Sequence, residues 1–213
     1  MKEWLQNLYL NKSSILEIYT DGSHNSRNLG GIGLFIVDED IEIEYSHNIT
    51  KNIIIKDINN VCNHTKNLPN VPKKSDLIID NIELYAIYQA LTKLQYYKKK
   101  YDKVIIYTDS DVSFLFINNL NRTKDGKVRQ IRNLLSRKLT SLIQSMMIEL
   151  DFDIEVRSVK SHTNIYGNMR ADQLAGKWKK HWKVSNHNNK NKGLSKEFRT
   201  TEWENNLLNI NMK

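Results

Sequence analysis

Two aspartates each end a copy of the same tetrapeptide. The chain carries Ile-Tyr-Thr-Asp at residues 18–21 and again at residues 106–109, each time after an aliphatic run and before a turn or cap residue. This pattern predicts two β-strands that end in the carboxylates Asp21 and Asp109. Ligands of open α/β sheets bind at the carboxyl ends of strands, so these acids could hold metal ions there. The alternative is that each aspartate only caps a turn or a helix.

Two further carboxylates are predicted on helices. Glu83 lies in the first turn of a predicted helix and heads its apolar stripe, and Asp172 heads the last predicted helix above the small residues Ala175 and Gly176. A carboxylate that heads an apolar stripe is costly to bury unless it is paired or coordinates a cation. The alternative for Glu83 is an acid favoured by the helix dipole.

Four converging carboxylates without histidine or cysteine ligands favour the hard cations Mg²⁺ or Mn²⁺. Two such ions about 3.5–4 Å apart can activate a water and stabilise the leaving oxygen of a phosphodiester. His162 lies in the loop after the last predicted strand, a short distance before Asp172. Because histidine is the side chain that most often transfers protons in catalysis, His162 is a candidate general acid or proton shuttle. The alternative is an exposed loop histidine without a role.

The elements that must position these residues follow an α/β pattern. Strands are predicted at 15–21, 31–37, 41–49, 103–108 and 152–159, and helices at 82–99, after Ser110, at 127–147 and at 168–182. Three antiparallel strands followed by helix–strand–helix–strand–helix describe a five-stranded mixed sheet flanked by helices, in which the last two strands are parallel.

Composition divides the chain into three parts. We expect an N-terminal extension at 1–14, a catalytic domain at 15–178 with a surface insertion at about 50–78, and a basic C-terminal tail at 179–213. The insertion is predicted from its prolines and its Asn and Lys clusters. The lysine-rich stretch 177–196 contains no acid, which favours contact with a polyanion, although a solvated tail would look the same.

Bulk properties narrow the class of protein. A chain of 213 residues with 39% hydrophobic and 26% charged residues is typical of a globular protein with one sizeable domain. No apolar run is long enough to span a membrane, and the first residues do not predict a signal peptide. The single cysteine, Cys62, excludes an internal disulfide and favours an intracellular location. A net charge of +8 favours a nucleic-acid partner.

The ordered motifs resemble type 1 ribonuclease H over residues 15–178. The matching residues are Asp21-Gly22-Ser23, Glu83 within Asn81–Ala86, Asp109-Ser110, and His162 followed by Gly167-Asn168 and Ala171-Asp172. The last motif is most similar to that of reverse-transcribing elements and viruses. The resemblance implies the ribonuclease H-like fold and an endonuclease that cuts the RNA strand of RNA–DNA hybrids, leaving 3′-hydroxyl and 5′-phosphate ends.

The resemblance also implies the roles of individual residues. Asp21, Glu83, Asp109 and Asp172 would hold two Mg²⁺ ions, for which Mn²⁺ could substitute, and His162 would assist proton transfer or product release. Residues expected to contact the hybrid are Gly22, Ser23, Asn25, Ser110, Asn168, Arg122, Lys124 and Lys127. We expect a monomer whose partner is the hybrid and not a membrane.

Two features depart from the family pattern. Ile78 and Ile79 stand where cellular members carry Thr and Asn that hold a DNA-strand phosphate, so the resemblance gives no such contact here. Trp178 and Trp182 lie one helical turn apart near the basic tail, where packing onto the domain is favoured over stacking on nucleic acid.

Two functions other than cleavage of RNA–DNA hybrids are compatible with the same fold. A nuclease of the same fold that acts on DNA, such as a resolvase or transposase-like enzyme, would share the acids. The Asp-Gly-Ser turn and the His…Asn…Asp segment favour the hybrid-specific enzyme over it. A catalytically silent nucleic-acid-binding module would be indicated by loss of an acid, and all four are present.

Overall fold

A five-stranded mixed sheet holds Asp21 within its first strand, which continues three residues beyond the predicted end, and Asp109 directly after its fourth strand. The computed structural model describes residues 14–25, 29–39, 41–64, 78–97, 101–120, 122, 126 and 130–179. The strands are β1 (Ile15–His24), β2 (Leu29–Asp38), β3 (Ile41–Thr50), β4 (Lys103–Thr108) and β5 (Ile154–Ser158). Their order is β3-β2-β1-β4-β5, with β1–β2 and β2–β3 antiparallel and β1–β4 and β4–β5 parallel. The predicted fold class is confirmed.

The repeated tetrapeptide lies side by side in the two central strands. Residues 18–20 of β1 pair in register with residues 106–108 of β4. Since the strands are parallel, Asp21 and Asp109 follow paired threonines at the same edge of the sheet. The sequence repeat therefore reflects a shared position in the sheet.

Helices cover both faces of the sheet. They are α1 (Lys51–His64), α2 (Ile79–Leu94), α3 (Asp111–Ile117), α4 (Leu134–Glu149) and α5 (Tyr166–Ala175). Two consecutive glycines of β2 show which helix lies on each face, because successive residues of a strand point to opposite faces. A Cβ on Gly30 would meet Ile82 of α2, and a Cβ on Gly31 would meet Ala175 of α5. The main core lies on the α2 side, where α2 packs on the sheet and on α4. No helix in the described ranges has the length and apolar content needed to cross a membrane.

The first half of the predicted surface insertion is part of the core. Residues 51–64 form α1, in which Ile54 and Ile58 are fully buried at helical spacing. Tyr85 of α2 donates a hydrogen bond to Asp57 of α1. The expectation of a surface excursion is wrong for this half, because the short apolar run continues one helical turn later. Residues 65–77 and the Cys62 side chain lie outside the described part of the chain.

Several helix ends differ from the sequence prediction. Helix α2 begins at Ile79, so Glu83 lies in its second turn. Helix α4 begins at Leu134 after the cap residue Asn133, seven residues later than predicted. Helix α5 begins at Tyr166, so Asp172 lies within the helix and does not head it. Gly and Asn at 167–168 are typical of loops, but both are buried in the first turn of α5.

The packing prediction for Trp178 is confirmed. Its side chain is buried, and its indole nitrogen donates a hydrogen bond to the Ser23 hydroxyl. A Cβ on Gly31 would collide with the indole ring, so the missing side chain at this position makes room for it. Trp182 and the tail from residue 180 lie outside the described residues.

Candidate active site

Three carboxylates meet at the carboxyl edge of the sheet. One oxygen from each of Asp21, Glu83 and Asp109 lies within 4.8 Å of the others. Asp21 is 6% exposed and Glu83 is 7% exposed, whereas Asp109 is partly exposed. Strand β1, the residue directly after strand β4 and helix α2 thus contribute one acid each.

Close packing at Gly22 brings Glu83 to the strand ends. A Cβ on Gly22 would lie 2.9 Å from the Glu83 backbone nitrogen and 2.9 Å from the Ile82 Cγ2 atom. Such distances leave no space for a side chain, so glycine allows α2 to contact the strand. The Gly22 backbone nitrogen also donates a 2.8 Å hydrogen bond to the Asp21 Oδ1 atom. Gly22 therefore orients the Asp21 carboxylate by its hydrogen bond and leaves the space that allows Glu83 to lie beside it.

A cavity of about 320 Å³ opens above the three acids. It is lined by Asp21, Gly22, Ile79, Asp80, Glu83, Asp109, Ser110, Ser161, His162, Thr163, Asn168, Met169 and Asp172. Asp172 is exposed on its wall and stands outside the tight group of three. All five residues predicted to be catalytic thus border one cavity.

Two residues connect the loop and helix α5 to Asp109. The Asn168 amide donates to the Asp109 Oδ2 atom at 3.2 Å, and the Ser161 hydroxyl donates to the Asp109 carbonyl at 3.4 Å. His162 is exposed and has a φ of 56°, in the left-handed region that non-glycine residues rarely adopt. An unfavourable backbone conformation at a cavity wall is typical of functional residues.

Burial and nearby negative charge raise the pKa values of Asp21 and Glu83. Burial, followed by the charge of Asp109, raises the pKa of Asp21 from 3.8 to about 7. Burial also raises the pKa of Glu83 well above its usual value, and the charges of Asp21 and Asp109 add to the effect. The Glu83 Oε2 atom is buried and has no hydrogen-bond partner among the described residues. A divalent cation coordinated by oxygen atoms would satisfy this donor set, so the residues fit a metal ion.

The residues predicted to contact substrate separate into three groups. Gly22, Ser110 and Asn168 line the cavity. Ser23 faces α5, where its hydroxyl donates to the Ala175 carbonyl at 2.7 Å, and the Asn25 backbone nitrogen closes a turn to the Leu29 carbonyl. The Arg122 guanidinium donates to the Gly126 carbonyl at 2.9 Å, on the surface. Lys124 and Lys127 lie outside the described residues.

Part of the cavity wall consists of residues for which the sequence predicts no role. Ile79 and Met169 are exposed apolar residues that border the acids, and Asp80, Ser161 and Thr163 add polar groups. Asp80 and Ile79 fall within the first turn of α2, three and four residues before Glu83, and this spacing is the signal that could have placed them here. Of Ile78 and Ile79, which depart from the family pattern, Ile79 thus contributes an apolar side chain to the cavity wall.

Comparisons with known proteins agree with the fold. A family model described as RNase H matches residues 13–180. No curated protein matches the chain. The structure of LC11-RNase H1 in complex with an RNA/DNA hybrid has a TM-score of 0.51 and 18% identity, over 76% of this chain and 98% of that one.

Two other solved structures are similar at lower TM-scores. A second structure of LC11-RNase H1, which was isolated from compost by a metagenomic approach, has a TM-score of 0.48 and 18% identity, over 78% of this chain and 98% of that one. The foamy viral protease-reverse transcriptase in complex with double-stranded DNA has a TM-score of 0.47 and 16% identity, over 79% of this chain and 94% of that one. At these identities the likeness concerns the fold alone.

Proposed function

The chain belongs to the ribonuclease H family, and on that premise we propose that it hydrolyses the RNA strand of RNA–DNA hybrids. The observation that carries the proposal is the group formed by Asp21, Glu83 and Asp109, whose oxygens lie within 4.8 Å at the floor of an open cavity. A phosphodiester backbone could reach these acids from solvent. The net charge of +8 supports a polyanionic substrate.

Asp21, Glu83 and Asp109 would hold divalent cations, with Asp172 completing the set from the cavity wall. Two Mg²⁺ ions, or Mn²⁺ in their place, would supply activation of the attacking water and stabilisation of the leaving oxygen when bound. The buried carboxylates keep bulk water from their inner faces, so their charges act in a medium of low dielectric constant. Asn168 fixes the orientation of Asp109 by its hydrogen bond.

His162 would act as a proton shuttle at the rim of the cavity. It is exposed, which allows it to exchange protons with solvent, and it borders the cavity that holds the acids. We expect His162→Ala to lower kcat by about 100-fold, the lower end of what a general acid–base catalyst contributes, and to leave KM unchanged. Steady-state cleavage of a labelled hybrid measures kcat and KM, and a single-turnover assay isolates the cleavage step.

His162→Asn provides the matched control for backbone conformation. Asparagine tolerates the left-handed region better than alanine does, so the loop should keep its shape in this variant. Equal losses in both variants would assign the effect to the imidazole. A complete loss of cleavage would instead mean that His162 has a more central role than a shuttle.

Metal binding is expected to depend on pH because it must displace protons from the acids. An acid whose pKa is raised on folding stabilises the folded state at low pH, and this contribution is lost as the pH rises from 3.8 to about 7. Above that range the clustered charges destabilise the metal-free protein, and a bound cation removes this repulsion. At about 100 times its Kd, Mg²⁺ should raise Tm by about 5–10 °C. At one fixed Mg²⁺ concentration the rise should be larger at about pH 8 than at about pH 5.

Thermal unfolding in EDTA and in Mg²⁺ at the two pH values measures this dependence. The same increase in Tm at both pH values would contradict a site built from acids with raised pKa values. Mg²⁺ without any effect on Tm at high pH would show that the three carboxylates do not hold the ion.

The decisive test of function is cleavage of matched duplexes. End-labelled RNA–DNA, RNA–RNA and DNA–DNA duplexes of one sequence would be incubated with Mg²⁺, with Mn²⁺ and with EDTA. We expect cutting of RNA in the hybrid only, dependent on metal, with products that carry 3′-hydroxyl and 5′-phosphate ends. Cutting of DNA would support a DNA nuclease of the same fold, and no cutting would support a binding module.

A further inference from the structure

A buried asparagine joins the first turns of two helices next to the acid cluster. Asn81 has 0% exposure and lies two residues before Glu83 in α2. Its side-chain nitrogen donates to the Asn133 Oδ1 atom at 3.2 Å and to the Ser136 hydroxyl at 2.7 Å. Its side-chain oxygen accepts from the Ile78 backbone nitrogen at 2.9 Å. All polar atoms of this side chain are therefore engaged.

Asn81 supplies a side-chain hydrogen bond at the start of α2, where the cap residue supplies none. The residue at the cap position is Ile78, whose side chain has no hydrogen-bonding atom, so it cannot accept from the first backbone N–H groups. The Asn81 side chain instead accepts from the backbone N–H group of Ile78 itself, as a residue at the third helical position does in a capping box. The bond fixes where α2 begins, and thereby the helical position of Glu83.

The same side chain fixes α2 to the start of α4. Asn133 is the cap residue of α4, and its Oδ1 atom accepts from the Ser136 backbone nitrogen at 3.0 Å. Asn81 donates to the cap oxygen and to the hydroxyl of Ser136, which is itself buried. Asn81 and Ser136 are buried, so breaking this network would leave buried polar atoms without partners, and the network therefore resists deformation.

The need for such a junction follows from the charge of the site. Glu83 is buried beside Asp21 and Asp109, and these like charges repel it. Without a fixed start, α2 could relieve the repulsion by moving Glu83 away from the strand ends. The junction opposes this movement from two residues away.

We propose that Asn81 is a positioning residue, which holds Glu83 at the metal site by fixing the start of α2 on Asn133 and Ser136 of α4. The proposal rests on the proposed function for its catalytic consequence. Its structural consequence, a poorer site for a divalent cation when the junction is broken, does not depend on which substrate is cut.

Asn81→Ala and Ser136→Ala test the junction with two readouts. We expect Asn81→Ala to lower kcat on a labelled hybrid by about 10–100-fold, since small misplacements of catalytic groups cost up to about that much, with KM changed less than about 2-fold. The Mg²⁺ concentration that produces one fixed increase of Tm should rise by about the same order in the absence of substrate. Ser136→Ala should act in the same direction with a smaller effect, because the bond to Asn133 remains.

Ile143→Val is the control for lost stability alone. Ile143 is fully buried in α4 and belongs to the hydrophobic core. Removing its methylene group lowers the free energy of unfolding, as Asn81→Ala is expected to do, but it breaks no hydrogen bond. Its kcat and its Mg²⁺ requirement should equal those of the wild type. In the double variant of Asn81→Ala and Ser136→Ala, the loss should not exceed that of Asn81→Ala, because both changes break one network.

The outcomes separate the two proposals. A wild-type chain that cuts no duplex overturns the proposed function, while the Mg²⁺ dependence of Tm still tests Asn81. Asn81→Ala with the stability loss of Ile143→Val and a wild-type Mg²⁺ requirement would make Asn81 a purely structural residue. If Asn81→Ala does not fold, Ser136→Ala decides, and a wild-type Mg²⁺ requirement in that variant overturns the proposal.

Discussion

Asp109→Asn is expected to abolish cleavage of the hybrid while the protein folds and binds nucleic acid nearly as before. The substitution keeps the shape of the side chain and one oxygen, but it removes a charge from the group formed with Asp21 and Glu83. A metal site supplies several kcal/mol of charge stabilisation in the transition state, so a loss of at least about 10³-fold in kcat should follow. Single-turnover cleavage and hybrid binding in EDTA measure the two properties separately.

The same substitution has a second expected effect, of opposite sign, on the metal-free protein. The charge of Asp109 contributes to the raised pKa values of Asp21 and Glu83, which reflects repulsion within the folded state. Removing that charge should raise Tm in EDTA and should reduce the increase in Tm produced by Mg²⁺. Both shifts can be measured in one thermal unfolding series.

Asp111→Asn is the matched control for Asp109→Asn. Asp111 lies two residues further along, in the first turn of α3, where it accepts a 3.0 Å hydrogen bond from Ser158, and it does not line the cavity. It should cut at the rate of the wild type. Cleavage by Asp109→Asn at the wild-type rate would mean that these carboxylates do not form the metal site.

The strand acids could be placed from the sequence because their signal is local. Asp21 and Asp109 each end an apolar run that defines its own strand, and parallel pairing of two such strands brings their ends together. Glu83 and Asp172 were first singled out by their positions on predicted helices and His162 by its place in a loop. The order of the motifs then assigned all three to the site of the strand acids. The cavity brings all five together.

The parts that escaped prediction depend on contacts between distant residues. Helix α1 follows an edge strand and precedes prolines, and the helical spacing of Ile54 and Ile58 does not by itself show what these residues pack against. The start of α2 carries Ile78 in place of a capping residue, and the group that fixes it, Asn81, has its partners in another helix. Helix-end signals read from one segment cannot reveal such a partner.

Gly33→Ala is expected to destabilise the protein and to impair the metal site through α5. A Cβ at Gly33 would lie 2.1 Å from the Ala171 carbonyl oxygen and 2.5 Å from the Ala175 nitrogen. Both contacts are to helix backbone, which cannot rotate away, so α5 must move off the sheet and carry Asp172 with it. Overpacking of this kind costs about 1–3 kcal/mol, which corresponds to a fall in Tm of about 2–12 °C for a domain of this size.

Gly176→Ala, at the C-terminal cap of α5, separates this steric effect from a general effect of replacing glycine. A Cβ there would meet its nearest atoms at 3.4 and 3.6 Å, and the backbone of Gly176 is right-handed helical. Alanine favours helix over glycine, so Gly176→Ala should be neutral or slightly stabilising. The Mg²⁺ requirement for cleavage should rise in Gly33→Ala and stay unchanged in Gly176→Ala.

If Gly33→Ala lowers Tm but keeps the wild-type Mg²⁺ requirement, the packing of α5 on β2 does not set the position of Asp172. An unchanged Tm would show that α5 does not press on the strand as closely as these distances require.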